Sequence, residues 1–239
     1  SSNIRSVVLN NLPVIPRKVH VVGAGVELYN VRKDEKDESQ KVIGCFVTSK
    51  TQIENLNAFL YLVKPMRDLG PKSSQQLKFL IYSDRSMEEY FDIEKINELI
   101  DQLGVREHVF FVETQRPDEA IRKMDIYVSL SFDEPFCDLE IVSTLLGVPI
   151  VAPRTPSRRQ LIGKLPGIGH TFYFQDSREL RSQIEKILSN ESKYKSSLAQ
   201  NFERLNLTHG LDNYVEKVYG HYVRLYSQRL RFASIKNEL

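Results

Sequence analysis

The chain has 239 residues, 41% of them hydrophobic and 27% charged, with 33 Lys and Arg against 31 Asp and Glu. That composition suits a globular fold of one large domain or two small ones, and a net charge of +2 lacks the basic footprint of a nucleic-acid binder. No apolar run approaches the roughly 18 residues that span a bilayer. Cys45 and Cys137 lie in apolar stretches, which predicts buried thiols rather than a disulfide framework. The start, Ser1-Ser2-Asn3, has neither a methionine nor the layout of a signal peptide, so the chain reads as an excised piece of a longer protein.

Residues 14–22 form a short β-prone run that Gly23-Ala24-Gly25 breaks, and 1–13 read as an extension before it. Residues 32–41 (RKDEKDESQK) are almost all charged or polar and read as a solvated linker. A strand follows over 42–47. The stretch 52–69 then places Ile53, Leu56, Phe59, Leu60, Leu62 and Val63 at helical spacing, and Gly70-Pro71 stops it. Residues 77–82 predict a strand. Ile93, Ile96, Leu99, Ile100 and Leu103 form a helical stripe ending at Gly104.

The alternation goes on with a strand over 109–112, a short helix over 117–124 opened by Pro117, and a strand over 126–130. Next come a buried helix over 139–146 and strands over 148–152 and 169–174. Helices over 179–189, 191–205 and 211 to about 230 complete the chain. Strands separated by helices predict a parallel sheet covered on both faces, and right-handed crossovers make it a doubly wound, Rossmann-like α/β fold. Ligands of such sheets bind at the carboxyl ends of the strands, at a topological switch point. Those ends are the loops after Val47, Tyr82, Val112, Leu130 and Ala152.

The most informative stretch runs from Asp125 through Ser129, Glu134, Phe136, Gly147 and Pro149 to Val151-Ala152. It resembles the donor-site segment of family 4 glycosyltransferases of the GT-B fold: an aspartate, an apolar strand, E-G-F-G, a helix and G-x-P-V-V-A. The run from Lys18 to Val26 is similar to that family's entry into its second domain. The run from Gln102 to Phe111 is similar to its L-G-L-x-D-x-V-x-F-L-G strand entry. The resemblance covers roughly residues 14–230. It implies that 14–239 is the C-terminal, nucleotide-sugar-binding domain, with the N-terminal acceptor domain outside this chain.

What the resemblance implies for the site follows residue by residue. Glu134 would orient the sugar hydroxyls as the catalytic-site carboxylate. Ser49, Lys50, Arg85, Arg154 and Arg158 are the candidate donor and phosphate ligands, although a solvated basic loop is an equal reading of 154–159. No cofactor is implied beyond the nucleotide-diphosphate sugar substrate, and no metal; the five histidines also lack ligand spacing. The implied partners are a weakly bound nucleotide sugar and an N-terminal GT-B domain or partner protein. The implied location is the cytoplasmic side, soluble or peripheral to a membrane.

The chain also departs from the pattern. The family's diphosphate-binding arginine and lysine align with Ser49 and Glu54, and its second carboxylate with Val142. Glu140 stands two residues earlier, about 200° round a helix. Pro135 and Cys137 replace the glycines that let backbone N–H groups approach a phosphate. Two functions follow: the donor domain of a retaining glycosyltransferase, or a catalytically degenerate GT-B-like scaffold that binds a protein in a glycosylation or secretion complex.

Overall fold

The computed structural model describes residues 40–68, 76–132 and 137–237, with side chains as far as Arg224. The expected strand at 14–22, the extension before it, the Gly70-Pro71 stop and Glu134 lie outside the described residues. Contacts divide the chain into two compact units, and among the described residues the boundary falls between Phe202 and Glu203.

The first unit carries a six-stranded sheet, all of whose described strand pairs are parallel. In chain order the elements are β1 (Gln40–Val47), α1 (Ile53–Asp68), β2 (Gln76–Ser83), α2 (Ile93–Leu103) and β3 (Val109–Glu113). The second half of the sheet follows as α3 (Pro117–Arg122), β4 (Ile126–Val128), α4 (Asp138–Leu145), β5 (Ile150–Pro153), α5 (Pro156–Lys164), β6 (Gly169–Phe172) and α6 (Ser177–Leu188). Two more helices are α7 (Glu191–His209) and α8 (Leu211–Asn237), the latter in the second unit. The strand order is β3-β2-β1-β4-β5-β6, with helices on both faces. The doubly wound expectation holds, and the order reverses between β1 and β4.

Interior strands are buried on both faces, which is why they read as continuous apolar runs. Ile43 and Cys45 of β1, Phe79 and Ile81 of β2, Val128 of β4 and Val151 of β5 all form one core. α1 buries Leu56, Phe59, Leu60, Leu62 and Val63 against it, and the Phe59 ring meets Phe79 edge-on at 5.9 Å. Each such side chain contributes roughly 1.5–3 kcal/mol through burial. Edge strand β3 instead leaves Phe110 40% exposed, as its outer side has no neighbouring strand among the described residues. A Cβ on Gly44 would lie 2.5 Å from the Met124 sulfur, so any larger residue there would have to displace the buried Met124 side chain. Gly104 ends α2 in the left-handed conformation, φ +64°, as its position in the sequence predicts.

Two of the differences from expectation bear on charged residues. The linker read over 32–41 ends earlier, since Gln40 and Lys41 already belong to β1. The Lys41 ammonium is held 2.8 Å from Glu191 and 3.8 Å from Asp125, which neutralises its charge at the base of the sheet. The segment 154–159 is not a loop either, because α5 begins at Pro156. Thr155 caps it by accepting the Arg158 N–H, and proline at the first helical position already has the required φ.

Candidate functional site

The turn that follows β1 is built from a Ser-x-x-Gln capping box. The Ser49 hydroxyl accepts the Thr51 N–H at 3.3 Å. The Gln52 carbonyl accepts the N–H groups of Thr48 and Ser49 at 2.8 and 3.3 Å. The Gln52 amide in turn donates to the Ser131 hydroxyl at 2.8 Å, beyond the end of β4. One buried carboxamide therefore ties together the two strand ends that flank the switch point.

Asn55, one turn further along and fully buried, does the same for a wider span. Its amide donates to the Leu130 carbonyl at 2.8 Å, and its oxygen accepts the Gln175 N–H at 3.2 Å. Gln175 has a left-handed φ of +62°, an uncommon conformation for a residue with a Cβ. The loop after β6 is thereby drawn to the β4 end. Neither Gln52 nor Asn55 belongs to the expected site. Gln52 was detectable as the fourth residue of the capping box, and Asn55 as a polar residue among the apolar positions of α1.

All of the described candidate residues except Arg158 follow directly on a strand's carboxyl end. Ser49 and Lys50 lie after β1, Arg85, with Asp84 beside it, after β2, and Arg154 after β5. Lys50 is exposed, makes no ion pair among the described residues, and helps line a cavity of about 390 Å³ with Asn57, Tyr90, Asp92 and Lys95. Arg85 borders a second cavity, of about 320 Å³, beyond the ends of β2 and β3, together with Ser83, Asn97 and Glu113. Between them, the Tyr90 hydroxyl donates to Asp84 at 2.5 Å, which pushes the tyrosine pKa up. Glu54 is exposed in the first turn of α1, and Val142 is half-buried in α4.

The arginines of the β5 side are engaged within the fold. Arg154 lies 3.9 Å over the Tyr173 ring and donates to Glu179 at 2.8 Å. The other Glu179 oxygen accepts the Tyr173 N–H at 2.5 Å. Arg158, expected among the phosphate ligands or in a solvated loop, is fully buried. Its Nε donates to Glu140 at 2.6 Å, and its terminal nitrogens reach the Ser129 and Thr155 hydroxyls at 3.5 Å. Burial alone would lower the guanidinium pKa, yet the charge and hydrogen bond of Glu140 hold it above the ordinary value. The helix started by Thr155-Pro156 turns this side chain inward. Glu140, 2% exposed, is committed to it.

Cys137 is also buried there; loss of solvation and the neighbouring Glu140 charge push its thiol up to about 11. Among the described residues no group of three or more His, Cys, Asp or Glu side chains could hold a metal ion, and no helix is long and apolar enough to cross a membrane.

A parallel sheet in this order, with hydrogen-bonded loops fixed over its switch point, defines a doubly wound, Rossmann-like α/β domain. Within that class the chain belongs to the family "Glycosyl transferases group 1", which matches residues 30–204. No curated protein matches it by sequence. Among solved structures it is similar to S. aureus TarM, determined as a point mutant in complex with fondaparinux, alpha-GlcNAc-glycerol and UDP. That alignment has 17% identity and a TM-score of 0.71, and covers 92% of this chain and 42% of TarM. Anabaena HepE, in complex with UDP and glucose, aligns at 16% identity and a TM-score of 0.61, over 77% of this chain and 48% of that one. The C-terminal domain of the Francisella tularensis group 1 glycosyl transferase LpcC aligns at 16% and 0.57, over 70% of this chain and 85% of that domain. The chain thus spans less than half the length of TarM or HepE. These similarities show the GT-B fold.

Proposed function

We propose that this chain is the donor-binding domain of a retaining glycosyltransferase that uses a nucleotide-diphosphate sugar. The observation that carries the reading is the exposed Lys50, without an ion-pair partner among the described residues, on the turn leading into α1 at the rim of a switch-point site in a group 1 glycosyl transferase. A diphosphate there gains from the Lys50 cation and from the positive end of the α1 helix dipole. Stabilising that leaving group is the main electrostatic task of the transfer. UDP in the TarM and HepE structures supports a uridine nucleotide as the first one to test.

In this reading Ser49 and Lys50 hold the phosphates, and Glu134 orients the sugar hydroxyls. Arg85 and Arg154 flank the site from the β2 and β5 sides. Arg158 does not reach solvent and has no donor contact. Donor binding needs no metal and no further cofactor. The acceptor is held by an N-terminal GT-B domain, and the protein works on the cytoplasmic side, free or at a membrane surface.

A degenerate scaffold that binds a protein partner is the second reading. It is favoured by the engagement of Arg154 and Arg158 with Glu179 and Glu140, which leaves few cations for a donor. Calorimetry with UDP separates the two. The donor reading expects binding near millimolar dissociation constants, weakened about tenfold or more in Lys50→Ala by loss of a charge-assisted contact. It also expects Val142→Glu to tighten binding by restoring a ribose carboxylate. No detectable UDP binding by wild type or Val142→Glu would leave the scaffold as the function.

A further inference from the structure

Phe132 and Phe174 form a half-open aromatic shelf that the donor contacts above do not use. Phe132 follows the β4 end and Phe174 the β6 end, yet their ring centroids are 4.6 Å apart with planes tilted by 45°. Phe132 remains 48% exposed despite that contact, at the ligand-bearing rim of the sheet. Its position is fixed from below: Ser131, the preceding residue, accepts from Gln52, and Asn55 bridges Leu130 to Gln175, the residue after Phe174. The fold has therefore already met the ordering cost of presenting the ring face, which is the condition for useful stacking.

We propose that the exposed face of Phe132, backed by Phe174, is the stacking surface for the hexose ring of the nucleotide sugar. The inference rests on the donor-binding reading and assigns the sugar end of that site. A diphosphate at the turn Lys50–Gln52 has one end towards β2 and the other towards β4. The β2 side offers the cavity of about 320 Å³ edged by Ser83, Arg85, Asn97 and Glu113, whose polar groups suit a nucleoside. The β4 side offers Phe132, one residue from the Ser131–Gln52 bond. A phenyl ring has no hydrogen-bonding group, so what it recognises is an apolar face. A hexose presents such a face through its C–H groups while its hydroxyls point outward to polar neighbours. Choice among hexoses then depends on which of their faces is free of axial hydroxyls.

The test compares UDP with UDP-glucose on the whole chain by calorimetry, in wild type, Phe132→Leu and Phe132→Tyr. Leucine keeps the apolar bulk without the ring face, and tyrosine keeps the ring. The expected result is that Phe132→Leu weakens UDP-glucose by about three- to tenfold and leaves UDP unchanged, whereas Phe132→Tyr binds both as wild type does. An equal loss for both ligands in Phe132→Leu would place uracil on the shelf and overturn the proposal. An unchanged ratio with UDP still bound overturns it too, while the donor reading survives. If neither ligand binds wild type or Val142→Glu, the donor reading falls and takes this one with it.

Discussion

Arg158 and Glu140 form an ion pair sealed from water: Nε stands 2.6 Å from Oε1, with the side chains 0% and 2% exposed. The pair bridges the first turns of α4 and α5, and Arg158 also reaches Ser129 at the end of β4. Desolvating two charges is costly, and attraction with good geometry offsets that cost only while both partners remain.

Removing one partner should therefore harm more than removing both. Arg158→Met is expected to destabilise the domain by about 3–5 kcal/mol, because Glu140 is left charged and unpaired in the interior. The double variant Arg158→Met/Glu140→Leu should recover most of that loss. Urea unfolding of the two variants reads the difference, and a double variant no more stable than the single one would contradict the account.

Asn55 offers a second test, because each of its hydrogen bonds crosses between elements. Asn55→Leu keeps the volume but strands the Leu130 carbonyl and the Gln175 N–H. A cost of about 1–3 kcal/mol for each unsatisfied group is expected. Amide exchange should show the loop around Gln175 opening first. Exchange there at the wild-type rate would mean that the Asn55 contact does not hold the loop.

Both thiols should be inert in the native protein. Burial raises the Cys45 pKa well above its ordinary value and pushes Cys137 up to about 11. At pH 8 only about one Cys137 in a thousand is then a thiolate, the reactive form. A chromogenic disulfide reagent should find no thiol in the folded chain and two in denaturant. Rapid modification without unfolding would show that the start of α4 is open if Cys137 reacts, and that the core around β1 is open if Cys45 does.

His170 should make the fold acid-sensitive. Burial, with the Lys186 charge adding to it, lowers its folded pKa, and its ring nitrogen meets the Tyr194 hydroxyl at 2.5 Å. The unfolded chain, with a histidine pKa near 6.5, thus binds the proton more readily than the folded one. The contribution to stability is complete above about pH 6.5 and is lost as the pH falls from there through the lowered folded value. His170→Gln should lose less of its urea midpoint between pH 7.5 and pH 5.5 than wild type does (pH values on the order of one unit either side of the unfolded pKa). Equal losses would assign the acid sensitivity to other groups.

The order of strands and helices was legible in the sequence because each interior strand is buried on both faces, so its apolar run stands out between turn residues. Gly104 ends α2 where the apolar stripe stops, and Pro117 opens α3 at its expected place. The carboxyl-end placement of Ser49, Lys50, Arg85 and Arg154 follows from that order alone, since all the described strands run the same way. Which charges remain available at the rim was decided only by tertiary packing. Glu140 and Arg158 are 18 residues apart, Asn55 and Gln175 120, and Lys41 and Glu191 150. An arginine faces inward only if the fold supplies a carboxylate at bonding distance, and no local pattern states where that carboxylate will be. Lys50 and Arg158 are both basic residues in polar stretches of sequence; one reaches water and the other a buried glutamate, because a side chain's desolvation is set by what packs around it.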